Sequence, residues 1–353
     1  LVASYVFYFL SGAFYPLVLF TTSIVTYCTG MMVYRKSQTD SKWLKENKDS
    51  ITREEKKKFK ADSAKIQKRY MLAGVLLCLL ILGVFKYTNF VIENINSILG
   101  LVGKTNELDA FDILLPMGLS FYTFQSISYI VDVYKERVAP TKTWLEYLFF
   151  LSFFPALVAG PIVRADYFLP QISQNKKATR DEVYLGFWMI ILGIIKKAII
   201  ADYISQYNDL IFSNPTGYTG FESLMGVVGY TMQIYCDFSG YSDIAIGTAR
   251  LFGINLMKNF NLPYFSRDIA EFWRRWHISL NKWFIDYVYI PLGGSRVSKS
   301  KVMCNILIVF ALSGLWHGAN WTFIVWGLYN GILIAILSAF NLNKKRSGII
   351  SEQ

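Results

Sequence analysis

The segment "YMLAGVLLCLLILGVFKYTNFVI", residues 70–92, carries a single charged side chain in 23 residues. A helix that crosses a bilayer needs about 20 mostly apolar residues, because it rises about 1.5 Å per residue through a hydrocarbon core of about 30 Å. The segment therefore predicts a transmembrane helix. Further apolar runs of this kind lie at residues 14–34, 111–134, 144–163, 183–201, 221–250, 303–315 and 321–340.

The composition of the whole chain agrees with this prediction. Of the 353 residues, 53% are hydrophobic and 17% are charged, which argues against the pair of soluble domains that this length would otherwise favour. No internal repeat or Pro/Ser-rich linker separates the apolar runs. We predict an all-α fold, a polytopic transmembrane helical bundle over residues 1–353. Since the opening "LVASYVFYFL" has no initiator methionine, we expect a chain truncated at both ends.

Positive charge is concentrated in one segment. Residues 35–69 contain 13 Lys/Arg and 6 Asp/Glu, and the positive-inside rule places such a segment in the cytoplasm. We therefore predict a basic cytoplasmic loop at 35–69 and an outward-facing segment at 93–109. Nucleic-acid binding is disfavoured, because the lysines alternate with acids and have few aromatic neighbours.

Two segments interrupt the pattern of plain transmembrane helices. The stretch "AGPIVRADYFLPQI", residues 159–172, predicts helix breaks at Gly160-Pro161 and before Pro170. Asp268 and Glu271 have the spacing of a capping box. They predict a helix that runs through "IAEFWRRWHISLNKWFIDYVYI", residues 269–290. This helix is basic and rich in tryptophan, which is typical of an interfacial or re-entrant helix.

One of only two histidines lies in "SGLWHGANW", residues 313–321. An ionisable side chain in an apolar span usually faces a cavity or a partner. Continued helical spacing would place Ser313, His317 and Trp321 on one face. His317 is either an interfacial histidine bonded to a backbone carbonyl or a general base that takes a proton from a substrate hydroxyl. No GxSxG motif or neighbouring carboxylate supports a Ser-His-Asp triad.

The second histidine, His277, lies in the basic helix. On a continuous helix it shares a face with Trp273, Arg274 and Asn281, and both a structural and a functional role are open. Two histidines without a third ligand motif predict no metal site. The four cysteines stand alone, without CxxC spacing, and predict neither a zinc site nor a disulfide framework.

A third polar motif is "QIYCDFSGYSDIAIG", residues 233–247. Asp237 and Tyr241 share one helical face and Asp243 lies on another. Carboxylates in an apolar helix need partners, so these residues form either a buried polar network or the wall of a substrate path. The expected partners are arginines: Arg250, Arg274 and Arg275.

Four segments together closely resemble the membrane-bound O-acyltransferase family, in particular its bacterial branch of alginate and peptidoglycan O-acetylation proteins. They are "AGPIVR", "QIYCDFSGYSDIAIG", "EFWRRWHISLNKWFIDYVYIPLGGSR" and "LSGLWHGANWTFIVWGLYNG". The resemblance covers most of residues 110–335 and preserves the order of the motifs. The D-alanyl transfer proteins of teichoic acid modification are a second match, but they usually lack "YIPLGGSR" and "WHGANW".

The resemblance implies a helical bundle around a central tunnel in a bacterial plasma (inner) membrane. It implies transfer of an acyl group from a cytoplasmic thioester, acetyl-CoA or another acyl thioester, with no bound cofactor. The acceptor that the resemblance implies is a polysaccharide, often reached through a separate extracytoplasmic SGNH-type transferase. Two alternatives from other classes stay open: a transporter whose histidines and aspartates relay protons, and a scaffold without catalysis of its own.

The same resemblance assigns roles to individual residues. His317 and His277 match the two family histidines, the first as base and the second as donor-binding or charge-stabilising group. Arg274 and Arg275 are expected at the phosphates of coenzyme A. The remaining candidates for the tunnel or donor site are Trp316, Asn320, Trp273, Asn281, Asp237 and Tyr241.

Overall fold

The computed structural model describes residues 1–103, 108–174 and 177–340, and these ranges contain helices and no β-strand. The first seven helices are α1 (Val2–Ser11), α2 (Tyr15–Glu46), α3 (Arg53–Leu101), α4 (Leu119–Tyr134), α5 (Trp144–Ser152), α6 (Phe154–Leu157) and α7 (Ala165–Ser173). The second seven are α8 (Arg180–Ile194), α9 (Asp202–Ser213), α10 (Gly220–Leu251), α11 (Ile269–Arg275), α12 (Ile278–Phe284), α13 (Lys299–His317) and α14 (Trp321–Ala339). Two π-helical turns, Ile195–Ala201 and Ile285–Tyr289, join α8 to α9 and extend α12.

Five helical stretches are long and apolar enough to cross a membrane: α2, α3, the continuous Arg180–Ser213, α13 and α14. They coincide with five of the eight predicted runs. The helix α10 is as long as α2, at 32 residues, and is not among these five. The predicted all-α polytopic bundle is therefore confirmed.

Two predicted runs do not form single spanning helices. Residues 111–134 contain only the 16-residue α4, which packs against α2 and α3. Its polar Gln125 and Ser126 are buried with its apolar residues, because neighbouring helices surround it. Residues 144–163 divide into α5, α6 and a non-helical segment at 158–163.

The break at Gly160-Pro161 is confirmed, whereas the predicted break before Pro170 is wrong. Helix α7 continues through Pro170 to Ser173. Gln171 anchors this helix, since its amide bonds both the backbone N–H and the carbonyl of Asn255, at 2.8 and 3.0 Å. The tertiary contact thus compensates for the hydrogen bond that proline removes.

The basic segment 35–69 is not an irregular loop. Helix α2 continues to Glu46 and α3 begins at Arg53, so the segment is a helical hairpin with a six-residue connection at 47–52. The rings of Trp43 and Phe59 stack across it at 4.3 Å. We call residues 35–69 the basic hairpin.

The helices α13 and α14 pack through glycines. A Cβ atom on Gly314 would lie 2.2 Å from the carbonyl oxygen of Phe323, and one on Gly327 would lie 2.3 Å from that of Phe310. Small residues allow this close backbone approach between membrane helices. The packing fixes the position of the C-terminal end of α13, where His317 lies.

Candidate active site

His317 is the last residue of α13, and the residue is exposed, although neighbouring groups partly desolvate its ring. Gly318 adopts an extended conformation, with φ −164° and ψ 148°, so the helix ends there. The predicted face shared by Ser313, His317 and Trp321 is therefore wrong for Trp321, which begins α14. Asn320 caps that helix by accepting a hydrogen bond from the Thr322 N–H at 2.9 Å.

Aromatic rings enclose His317 on two sides. The ring centroid lies 5.0 Å from that of Trp316 and 5.3 Å from that of Trp326, edge to face in both pairs. Trp326 in turn lies 5.7 Å from Trp273 on α11. Such contacts restrict the rotation of the imidazole and reduce its contact with water on those two sides.

Two adjacent side chains of α3 hold the end of α13. The Lys86 ammonium donates to the backbone carbonyl of Trp316 and, at 3.2 Å, to Ser120 Oγ. The Tyr87 hydroxyl donates to the carbonyl of Leu315 at 2.8 Å. These carbonyls have no intrahelical partner, and a cation is favourable at the negative end of a helix dipole. Lys86 was not among the predicted site residues, although it is the only charge in residues 70–92 and a charge in an apolar span usually has a partner.

The second histidine lies at a break, so the predicted continuous helix 269–290 is wrong. His277 has φ 43° and ψ 55°, a left-handed conformation that ends α11 and starts α12. Asn259 stabilises the break: its carbonyl accepts from the Ile278 N–H at 2.9 Å, and its side chain accepts from the Ser279 N–H at 3.2 Å. The opening of α11 at Asp268 is confirmed.

The break changes the surroundings of His277. The Asn281 amide donates to the carbonyls of Trp273 and Trp276, so it caps α11 instead of orienting the imidazole. The imidazole is 2% exposed and packs edge to face against Phe238 at 4.6 Å. Neither of its nitrogens has a hydrogen-bond partner among the described residues.

Trp316 separates the two histidines. Its ring lies 6.0 Å from His277 and 5.0 Å from His317, and it also packs on Phe124 at 5.5 Å. The candidate residues Trp316, His277 and His317 are therefore brought together. One histidine is sealed behind the tryptophan and the other is accessible.

A cavity of about 550 Å³ lies between α11–α12 and α13–α14. We call it the donor-side cavity. Its lining includes Trp273, Arg274, Asn281, Lys282, Phe310 and Ser313. Ser313 lies one helical turn before His317. Trp273 packs against Trp326, which in turn packs against His317. The cavity therefore comes within one helical turn of His317, which is not part of its lining, and it carries the cationic side chains of Arg274 and Lys282.

Arg275 does not line this cavity. Its guanidinium donates to Glu271 at 2.6 Å. The backbone N–H and the guanidinium of Arg267 bond the same carboxylate and, together with Arg275, lower the pKa of Glu271 to about 2. Arg274 and Arg275, adjacent in sequence, are thus in different environments.

The carboxylates of α10 form salt bridges with lysines, whereas arginines were the predicted partners. Asp237 pairs with Lys197 at 2.7 Å, and Asp243 pairs with Lys196 at 2.6 Å. The Lys197 ammonium also lies 5.6 Å from the ring centre of Tyr241. Neither Asp237 nor Tyr241 lines the donor-side cavity. Both lysines come from the π-helical turn, whose geometry the sequence did not indicate.

A model of the membrane-bound O-acyltransferase family matches residues 140–342, more than half of the chain. The chain belongs to this family. The resemblance inferred from the four sequence segments is confirmed, and the chain is a multi-pass membrane protein.

Curated relatives agree with the family. The chain is 43% identical over 277 residues to a probable alginate O-acetylase of Azotobacter vinelandii, covering 78% of this chain and 54% of that protein. It is 38% identical to a peptidoglycan O-acetyltransferase of Helicobacter pylori, covering 77% and 56%. It is 32% identical to a teichoic acid D-alanyltransferase of Bacillus subtilis, covering 65% and 60%. The chain spans about half the length of the curated relatives it matches.

Proposed function

We propose that this chain forms the catalytic core of an O-acyltransferase. It moves acetyl groups from a cytoplasmic thioester, acetyl-CoA or another acyl thioester, across the membrane to hydroxyl groups of an extracellular or cell-wall polysaccharide. The observation that carries the proposal is the exposed residue His317, one helical turn beyond Ser313, which lines the donor-side cavity.

In this mechanism His317 is the general base. Its neutral imidazole takes the proton of an acceptor hydroxyl as the hydroxyl oxygen attacks the thioester carbonyl. The tetrahedral intermediate then releases the thiolate, which takes the proton back from the imidazolium. Such proton transfer contributes roughly 10²- to 10⁴-fold to a rate. The aromatic surround of His317 favours transfer to the acceptor over hydrolysis, because it limits access of water.

Other residues of the site bind and position. Arg274 and Lys282 line the donor-side cavity, and their cationic groups suit the phosphates of a coenzyme A or carrier-bound donor. His277 lies behind Trp316, and we assign it to placing that tryptophan against His317. It stabilises negative charge on the donor carbonyl only if Trp316 moves aside.

The names of the relatives support the proposed acceptor and acyl group. Proteins at 43% and 38% identity are named for O-acetylation of alginate and peptidoglycan, whereas the D-alanyltransferase of Bacillus subtilis is 32% identical. Because the O-acetylation proteins have the higher sequence identities, we favour acetyl over D-alanyl as the transferred group. We further propose a bacterial plasma (inner) membrane location and a separate extracytoplasmic SGNH-type transferase that completes delivery to the polysaccharide.

The test measures transfer of label from [¹⁴C]acetyl-CoA to protein or glycan. Membranes contain the full-length parent protein as wild type, His317→Ala or Cys304→Ser. Cys304 is an exposed residue on α13, far along the helix from the site, and serves as the matched control. We expect His317→Ala to lose at least about 100-fold in rate at normal protein level, with Cys304→Ser unchanged. Transfer by His317→Ala at the wild-type rate would refute the proposal.

A further inference from the structure

A second cavity, of about 340 Å³, lies away from His317. Helix α10, the end of α8 with its π-helical turn, and the extended residues 254–262 form its walls. We call it the α10 cavity. On α10 it is lined by residues of one helical face: Tyr235, Ser239, Ser242, Asp243, Ile246 and Arg250. The proposed acyl transfer uses none of these residues.

Positive charge in the α10 cavity exceeds negative charge. Its lining contains Lys196, Arg250 and Lys258 against the single carboxylate of Asp243. That carboxylate already pairs with Lys196 at 2.6 Å. Lys258 donates to the neutral side chain of Asn261 at 3.0 Å. Within the described ranges, no carboxylate lies within 4.0 Å of the charged nitrogens of Arg250 or Lys258, so neither forms a salt bridge. Arg250 interacts only at longer range, with the exposed carboxylate of Glu182.

The cavity also contains donors that lack acceptors. The Ser239 side chain is 2% exposed, and its hydroxyl has no hydrogen-bond partner among the described residues. The Arg250 Nε is buried and equally without an acceptor within that part of the chain. Buried polar groups in proteins are almost always paired. Two unpaired donors in one positively charged cavity indicate that the acceptor belongs to a ligand.

We propose that the α10 cavity binds a phosphate group through Arg250, Lys258 and Ser239. A phosphate has several acceptor oxygens at close spacing, and guanidinium matches this geometry with paired N–H donors. The group is a phosphomonoester or phosphodiester, supplied by an anionic phospholipid head group or by a soluble phosphate. The apolar part of the lining, which includes Met189, Leu256 and Leu262, favours the lipid, because it offers a surface for the first carbons of the acyl chains.

The binding test uses the purified full-length parent protein in detergent. Native mass spectrometry measures retained phosphatidylglycerol, and a thermal unfolding assay measures stabilisation by inorganic phosphate. The variants are Arg250→Gln/Lys258→Gln and, as matched control, Arg180→Gln. Arg180 is an exposed arginine of α8 that bonds Tyr184 and does not line the cavity. Neither measurement depends on acyl transfer, so the outcome is independent of the proposed function.

We expect the double variant to bind its ligand at least 10-fold more weakly, with Arg180→Gln unchanged. If phosphatidylglycerol is retained and inorganic phosphate has no effect, the ligand of the site is a lipid. If inorganic phosphate stabilises the protein and displaces the lipid, the ligand is a soluble phosphate. If the double variant does not fold, Ser239→Ala replaces it, with a several-fold loss expected. A wild type that binds neither probe, or variants that bind like the wild type, would overturn the proposal.

Discussion

Single side chains from distant parts of the sequence define the reactive end of α13. Lys86 of α3 donates to the carbonyl of Trp316, and Trp316 packs on His317. Because the lysine is bonded to the backbone immediately before His317, its role is to position the imidazole. The charged group is only partly buried, so arginine at this position keeps the cation with modest rearrangement.

At the residue scale we predict that Lys86→Met lowers acetyl transfer about 10- to 100-fold. The substitution leaves the Trp316 carbonyl without its donor and lets the end of α13 shift, and small displacements of a catalytic group have effects of this size. Lys86→Arg should stay within several-fold of the wild type. The label-transfer assay, normalised to protein level by immunoblot, measures both. Wild-type transfer by Lys86→Met would contradict the positioning role.

At the scale of elements, glycines bring two pairs of helices into close contact. In the pair α8 and α10, the Cβ positions of Gly193 and Gly240 would each lie within 2.7 Å of the other residue's carbonyl oxygen. In the pair α13 and α14, Gly314 and Gly327 have the same function. The second pair positions His317, so its packing affects both stability and the site.

Gly327→Ala is predicted to destabilise the protein by about 1–3 kcal/mol, because the added methyl must displace the backbone of α13. Gly83→Ala in α3 is the matched control, since nothing lies within 4 Å of its Cβ position and alanine favours a helix over glycine. Thermal unfolding in detergent should show a lower Tm for Gly327→Ala, with reduced label transfer, and an unchanged or higher Tm for Gly83→Ala. Equal Tm values for both variants would contradict the packing argument.

Element types were predicted better than element ends. Continuous apolar runs correctly indicated α2, α3, α13 and α14, because twenty apolar residues have few alternatives to a spanning helix. The break at His277 was missed. Its left-handed backbone is stabilised by Asn259, 18 positions earlier, and no local pattern of glycine or proline marks it.

At the scale of the whole molecule, polar contacts connect the basic hairpin to the region that precedes α13. Ser37 donates to Glu136 at 2.8 Å, just after α4 ends. Near the same end of α4, Tyr287 donates to Asp132 at 2.5 Å. The π-helical turn before α13 therefore lies on the hairpin side of the bundle. Since α13 then runs across the bundle to Lys86, late in the apolar part of α3, His317 lies toward the opposite side.

This arrangement predicts the orientation of the protein in the membrane. In a background without the native cysteines, we expect Lys57→Cys, in the basic hairpin, to react with an impermeant maleimide only after the cells are permeabilised, because the positive charge holds it inside. Asp109→Cys, on the outward segment, should react in intact cells. Labelling in the reverse order would contradict the proposed location of the donor and acceptor.

The sequence by itself determined the all-α membrane class, most spanning helices, the family and the two histidines, because hydropathy and motif order are local properties. Only the tertiary structure decided that one histidine is accessible and the other sealed, that Lys86 bonds the end of α13, and that lysines rather than arginines pair with the α10 carboxylates. These features depend on contacts between residues far apart in the chain. Their geometry follows from how the helices pack and break, and residue spacing within one segment does not contain it.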